Sequence, residues 1–285
     1  MDVFTLYVGQ GSLAALRVGN EGVIIDAHMP ECDEVCPAEI QQSLKVYFRG
    51  VTVRGLVLTG LDGDHAHPLG VEWILTHFQP PWIMYPKYYK DTDCAAEVFA
   101  HIDRHEVKRR AQGRPLKRYS VRVDRLDSRE IAGLGNNFSF ELFSPHIEDM
   151  DSSNNCSIVA KVVGRDSSSF RYLITGDTEI ARWERISALF GDSIAADVMA
   201  APHHGALSGL YPKTLLNVSP NTVLISAGVD SQFKHPSPAA VAAYSRVAKH
   251  VYATNAGDVP RCLLTRRVGA DFETQVFAHA AVEAA

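Results

Sequence analysis

Gly55-Leu56-Val57-Leu58-Thr59-Gly60-Leu61-Asp62-Gly63-Asp64-His65 reads as a short buried strand that runs into a loop carrying two carboxylates and an imidazole. The apolar run has the length of a strand, and the glycines at 60 and 63 mark where the chain turns. A single Asp or His after a strand is ordinarily a cap or a turn former. Asp62, Asp64 and His65 together exceed what a turn needs, and loops at strand ends are where a rigid scaffold presents binding groups.

Outward from that stretch the same arrangement returns three times. The strand Arg171 to Thr175 ends in Gly176-Asp177, residues 197–200 lead into Pro202-His203-His204-Gly205, and Thr222 to Ser226 precedes a loop through His235-Pro236-Ser237. Upstream, Phe4 to Val8, Ala14 to Val18 and Gly22 to Asp26 read as three strands separated by turn residues. Helical spacing is expected over Ala38 to Phe48, Val71 to Phe78, Asp93 to Gln112, 179–190 and Pro238 to Lys249. Further strands are expected at Trp82 to Tyr85, along the alternation Arg118 to Leu126, at Phe138 to Phe143 and Ser157 to Val163, near Val251, and at Cys262 to Thr265. Two β-rich halves, each flanked by helices, imply two sheets packed face to face with helices outside. With no internal repeat and no low-complexity linker, residues 1–285 are expected to form a single domain, its Ala-rich tail 278–285 fraying.

Composition excludes several classes. Hydrophobic residues make up 46% and charged residues 21%, which suits a folded core and argues against disorder. Lys and Arg number 28 against 33 Asp and Glu, so a net charge of -5 offers no global attraction to nucleic acid or to an anionic membrane. No apolar run suffices for a membrane span or pore, and Met1-Asp2-Val3-Phe4 lacks the basic region of a signal peptide, so a cytoplasmic location is expected. Cys32 and Cys36 sit four apart beside acidic residues, but no second pair completes a metal clip; reduced thiols are expected for all five cysteines.

Imidazoles and carboxylates projected from loops are the usual holders of a divalent ion in hydrolases. In Pro202-His203-His204-Gly205, one of two adjacent imidazoles must point inward and the other elsewhere. Together with Val8-Gly9-Gln10-Gly11, Ile24-Ile25-Asp26, Asn154-Asn155-Cys156-Ser157, Leu173-Ile174-Thr175-Gly176-Asp177 and His235-Pro236-Ser237, these motifs resemble, in order and approximate spacing, the metallo-β-lactamase superfamily. Within it the chain is similar to the hydrolase domain of the ComEC-type competence proteins of DNA uptake.

The resemblance implies an α+β fold, the four-layer αββα sandwich, with Asp26 supporting the metal loop. It implies a metal site built from Asp64, His65, a bridging Asp177 and His204. The family loop H-x-H-x-D-H stands here as Gly60-Leu61-Asp62-Gly63-Asp64-His65, so the first His is missing, and Asn154-Asn155-Cys156-Ser157 fills the place where many relatives supply another. A second, weaker site then keeps Asp62 and a share of Asp177, with His203, His67 and His28 as substitutes. One well-formed site for Zn²⁺, Mn²⁺ or Mg²⁺ is expected, the weaker one suiting Mn²⁺ or Mg²⁺, which accept water and phosphate oxygens. Asp62 or Asp64 is expected to orient a water, and His235, with His203 beside the inward imidazole, to stabilise an oxyanion or protonate a leaving group.

The resemblance further implies cleavage of phosphodiesters in nucleic acid or nucleotides. The segment with Arg104, Lys108, Arg109, Arg110, Arg114, Lys117, Arg118, Arg122 and Arg125 opposes only Glu106 and Asp124, a stripe that can bind phosphates, with Tyr119 placed to stack on a base. A solvated helix face and charged edge strand is the plainer account of the same run. Two functions are carried forward: a metal-dependent phosphodiesterase or nuclease, and a catalytically weakened protein that acts as a binding or regulatory partner in a nucleic-acid or defence system.

Overall fold

A computed structural model describes residues 1–31, 35–88, 90–123, 131, 133–147, 152–166, 169–229 and 231–279. The chain runs β1 (Asp2–Thr5), β2 (Ala14–Val18), β3 (Glu21–Ile25), α1 (Pro37–Tyr47), β4 (Thr52–Val57), α2 (Pro68–His77), β5 (Trp82–Pro86), α3 (Asp93–Ala111) and β6 (Lys117–Val121). It continues through β7 (Phe138–Ser144), β8 (Val159–Gly164), β9 (Arg171–Ile174), α4 (Ile180–Phe190), β10 (Val198–Ala200), α5 (Pro212–Val218), β11 (Thr222–Ile225), α6 (Pro238–Val247), β12 (His250–Ala253), β13 (Cys262–Val268) and β14 (Asp271–Phe277). Four helices, α1, α2, α5 and α6, open on a proline, whose missing N–H costs nothing in the first turn. Helix α3 opens instead on Thr92, whose hydroxyl accepts from Ala95 N at 3.3 Å.

One sheet has the order β14-β13-β1-β2-β3-β4-β5-β6 and the other β12-β11-β10-β9-β8-β7. The central strands are apolar on both faces because each face meets its own core. On β4, Leu56 packs with Ile40, Leu44, Val71 and Ile102 of the helices, while Val57 packs with Ile158 and Ile174 of the other sheet. On β11, Val223 and Ile225 face Trp183 and Tyr244 of the outer helices, and Leu224 faces the first sheet. Three cores thus separate four layers, which is the αββα sandwich expected.

Three differences from expectation stand out. Strand β13 belongs to the first sheet, where Thr265 pairs with Val3, so the two halves of the sequence are not the two sheets. Helix α5 and strand β14 were not expected: α5 has only 7 residues, and β14 is an edge strand whose apolar residues Phe272, Val276 and Phe277 are interrupted by Glu273, Thr274 and Gln275. The tail is anchored at its start, since His279 donates from Nε2 to Tyr7 O at 2.6 Å and meets Ser43 Oγ at 3.1 Å; residues 280–285, like Cys32, lie outside the described residues. Cys36 is an exposed free thiol. Among the described residues no helix is long and apolar enough to cross a membrane.

Candidate metal centre

The loops after β3, β4, β9, β10 and β11 meet at the C-terminal ends of their strands. Strand β3 ends in Asp26, which turns with φ +59°, accepts from Thr59 N at 2.7 Å through Oδ1 and from Thr59 Oγ1 at 2.8 Å through Oδ2. Its Oδ2 also faces His65 Nδ1 at 2.8 Å. A carboxylate only accepts, so Nδ1 carries the proton and Nε2 presents its lone pair. The metal loop is tied down from the other side by Ser12 N donating to Asp64 O at 2.8 Å and Ala27 N to His65 O at 2.7 Å.

After β9, Gly176 takes φ +51°, and a Cβ there would lie 2.8 Å from Ser157 Cβ and 3.0 Å from Thr59 Cβ. Only glycine lets the Asp177 loop press this closely on the β4 loop. Asp177 N donates to Ser157 Oγ at 3.0 Å, and Glu179 N donates to Asn155 Oδ1 at 3.2 Å. The Asn154-Asn155-Cys156-Ser157 stretch therefore braces the Asp177 turn. After β10, His203 and His204 both adopt left-handed backbone, φ +49° and +54°, followed by Gly205 at +79°. That turn points the two imidazoles apart. His204 is buried, its Nδ1 donating to Ser226 O at 2.9 Å, so its Nε2 too presents a lone pair.

The two Nε2 atoms and two carboxylates converge. His65 Nε2 lies 2.9 Å from Asp177 Oδ1, and His204 Nε2 lies 3.5 Å from both Asp177 Oδ1 and Asp64 Oδ2. Ligand atoms of Asp64, His65, Asp177 and His204 all lie within 4.8 Å of one another. Four ligands about 2.1 Å from a tetrahedral ion stand about 3.4 Å apart, so the spacing fits one small divalent cation. The same atoms want one: His65 Nε2, His204 Nε2 and Asp177 Oδ1 are buried and have no hydrogen-bond partner.

Electrostatics say the same. Burial drives the His65 pKa down, but Asp177 and Asp26 outweigh it and hold it well above the ordinary value; His204 is likewise raised by Asp177 and Asp64 against burial. Against their own burial, Asp177 is lowered by His65 and His204, and Asp64 by His204 and His65. Without an ion the carboxylates are balanced by protons on the two Nε2 atoms, and a divalent ion would displace those protons and take their place between the same four groups.

The other expected site residues are placed differently. Asp62 does not join the four, because its carboxylate is paired with the Lys90 ammonium and accepts from Ser153 Oγ at 2.5 Å. His203 lies at the rim, with Nε2 3.8 Å from Asp177 Oδ2 and Nδ1 3.5 Å from Glu179 Oε1, and its ring is 5.9 Å from that of His235. Burial and the His204 and His203 imidazoles push the His235 pKa below its ordinary value, and Phe233 stacks on the ring at 5.9 Å. His28 is turned away, its Nδ1 donating to Gly63 O at 2.8 Å and its ring set edge-on to His67 at 5.8 Å, so neither substitutes for a missing ligand.

Part of the basic stripe is engaged within the protein, while Arg104, Lys108, Arg110, Arg114 and Lys117 are exposed. Arg109 is buried and donates to Gln79 O at 2.6 Å and Arg114 O at 2.9 Å, Arg118 pairs with Asp103 and Glu106, and Arg110 pairs with Glu106. Tyr119 is buried between the sheets and so is not placed to stack on a base; Asp124 and Arg125 lie outside the described residues. Sequence reasoning missed Lys90, Ser153, Thr59 and Ser226, each single residues with no motif around them. Only the proximity of Thr59 to the Asp-rich loop offered a signal.

No family model matches the chain. It is 25% identical over 231 residues to ComE operon protein 3 of Bacillus subtilis (strain 168), covering 79% of this chain and 27% of that protein, so the chain spans about a quarter of its relative. A structure described as a metal-dependent hydrolase, from Parabacteroides distasonis, aligns with TM-score 0.47 at 12% identity over 87% of this chain and 91% of its own. A CmlA β-hydroxylase variant aligns with TM-score 0.49 at 11% identity over 88% of this chain and 52% of its own. The chain is a four-layer αββα sandwich, and by its sequence it is similar to one part of ComE operon protein 3.

Proposed function

We propose that this chain is a metal-dependent hydrolase of phosphodiesters, with Asp64, His65, Asp177 and His204 holding one divalent ion and nucleic acid or nucleotides as the substrate class. The observation that carries the reading is the set of buried, unpartnered atoms, two imidazole nitrogens and one carboxylate oxygen, aimed at one point. A divalent ion held there supplies a hydroxide nucleophile at neutral pH by lowering the pKa of water. Asp26 and Ser226 O fix which nitrogen each imidazole turns inward. Asp64, about a third exposed, is the ligand open to the outside, and orients the attacking water. His235, beyond His203, donates to the developing oxyanion or the leaving group. The substrate class rests on the similarity to a competence-operon protein, and the fold by itself hosts many chemistries.

A second reading, a binding or regulatory partner in which the ion only supports the fold, is favoured by one observation: Gly60 offers no side chain where a ligand is expected. One experiment separates the two. Purified protein is assayed for metal content and for hydrolysis of single-stranded DNA, RNA and a small chromogenic phosphodiester across Mn²⁺, Mg²⁺ and Zn²⁺ titrations. One bound ion with metal-dependent cleavage supports the hydrolase; one bound ion with no cleavage of any substrate supports the partner; no bound ion sinks both.

A further inference from the structure

We propose that the Lys90 ammonium is a built-in second cation, occupying the place of a second metal ion, so that this protein works with one ion per chain. The inference rests on the hydrolase reading and specifies its site.

The place beside Asp177 is poor in metal ligands and rich in anchors for an ammonium. Gly60 contributes no donor, and the Asn154–Ser157 stretch is turned to Asp177 and Glu179. Besides His203 at the rim, 3.8 Å from Asp177 Oδ2, what remains of the expected ligands is Asp62. Its Oδ1 accepts from Lys90 Nζ, its Oδ2 from Ser153 Oγ at 2.5 Å, and Lys90 Nζ also donates to Ser153 Oγ at 2.9 Å. The three groups form a closed ring. The segment that brings in Lys90 is pinned over the metal loop, because Tyr88 Oη accepts from Leu61 N at 3.1 Å. Only 18% of the Lys90 side chain is exposed; burial lowers its pKa, and the Cys94 and Asp177 charges oppose that.

One carboxylate and a share of Asp177 cannot hold zinc, which takes three or four protein ligands. A lysine held by two oxygen partners is a compact point charge that needs no loading, and a point charge is what a phosphate oxygen recognises. Lys90 thus neutralises Asp62 at rest and offers its remaining N–H to a non-bridging phosphate oxygen as charge builds there. No local spacing announces this ring, since Lys90 lies 28 residues from Asp62 and Ser153 lies 91 from it.

The test is metal stoichiometry, read by native mass spectrometry and equilibrium dialysis with Mn²⁺ from micromolar to millimolar. Wild type and Lys90→Arg should each bind one equivalent throughout. Lys90→Ala, and Lys90→Met, which retains an apolar stem, should bind a second equivalent at millimolar Mn²⁺. Lys90→Ala combined with Asp62→Asn should return to one. Two equivalents in wild type, or a single one in both Lys90→Ala and Lys90→Met, overturns the proposal while leaving the hydrolase reading intact. Wild type that binds none overturns the hydrolase reading instead.

Discussion

Asp26 Oδ2 stands 2.8 Å from His65 Nδ1, with both residues almost wholly buried, and this contact decides which imidazole nitrogen meets Asp177. An acceptor at Nδ1 keeps the proton there, so the other nitrogen is the one that gives up its proton to a metal ion. Replacing Asp26 by Asn offers that nitrogen an amide donor instead and favours the other tautomer. Metal affinity in Asp26→Asn should fall by about 10- to 100-fold, measured by competition with a chromophoric chelator. An unchanged affinity would mean that Asp26 serves the fold alone.

Asp177 and His235 should separate by role. Asp177→Ala removes a carboxylate that touches both His65 and His204, so bound metal should vanish from the purified protein. His235→Ala should retain its metal and lose turnover by about 100-fold or more. Equal metal loss in the two variants would refute that division.

Gly176→Ala should destabilise the fold by about 2 kcal/mol, from the left-handed backbone and the clash with Ser157 and Thr59 together. Denaturant unfolding measures it. A midpoint equal to wild type would show that the Asp177 turn is looser than described.

At Gly60 a new Cβ meets nothing closer than His65 Cγ at 3.8 Å, so the backbone there accepts a side chain without a clash at Cβ. In a Lys90→Ala background, Gly60→His should tighten the second Mn²⁺ by about tenfold or more, read in the same dialysis experiment. No tightening would place the Gly60 side of the loop out of reach of Asp62.

His105 gives a pH dependence. It is buried on α3 beside Arg109 and Lys108, and burial first, then these cations, push its pKa from 6.5 down to about 4. The folded state resists a proton that the unfolded state accepts, so its contribution is complete above pH 6.5 and fades as pH falls toward 4. Comparing wild type with His105→Gln by denaturant unfolding at pH 7 and pH 4.5, the variant should lose less stability on acidification, by an amount on the order of 2 kcal/mol. Parallel losses would remove His105 from the account.

The layers were legible because strands buried on both faces leave apolar runs, as in Leu56-Val57 and Val223-Leu224-Ile225, and because turn residues frame them. Asp62, Asp64, His65, Asp177 and the pair His203-His204 were legible as groups that follow such runs, and the choice of Asp64, His65, Asp177 and His204 among them came from the family resemblance. Lys90 and Ser153 were not, since a contact made only by folding leaves no spacing to read. The stripe from Arg104 onward was legible only as a count, because charge counts say nothing of direction: Arg109 and Arg118 turn to the protein's own carbonyls and carboxylates, while Arg104, Lys108 and Arg114 face outward. The join of β13 to β1 was equally silent, because pairing partners far apart share no local signature.

That join sets a schedule for synthesis. Strand β1 is hydrogen-bonded on one side to β2, its near neighbour, and on the other to β13, where Val3 meets Thr265. At roughly 5–20 residues per second the ribosome needs tens of seconds between making the two. Throughout that interval one edge of β1 carries unpaired N–H and C=O groups, open to any passing strand. His204, the last of the four converging residues, is made well before β13, so the nascent chain has its whole metal-binding set while its first sheet still lacks two strands. An ion captured then would draw the two sheets together early, shortening the time during which the exposed edge invites aggregation.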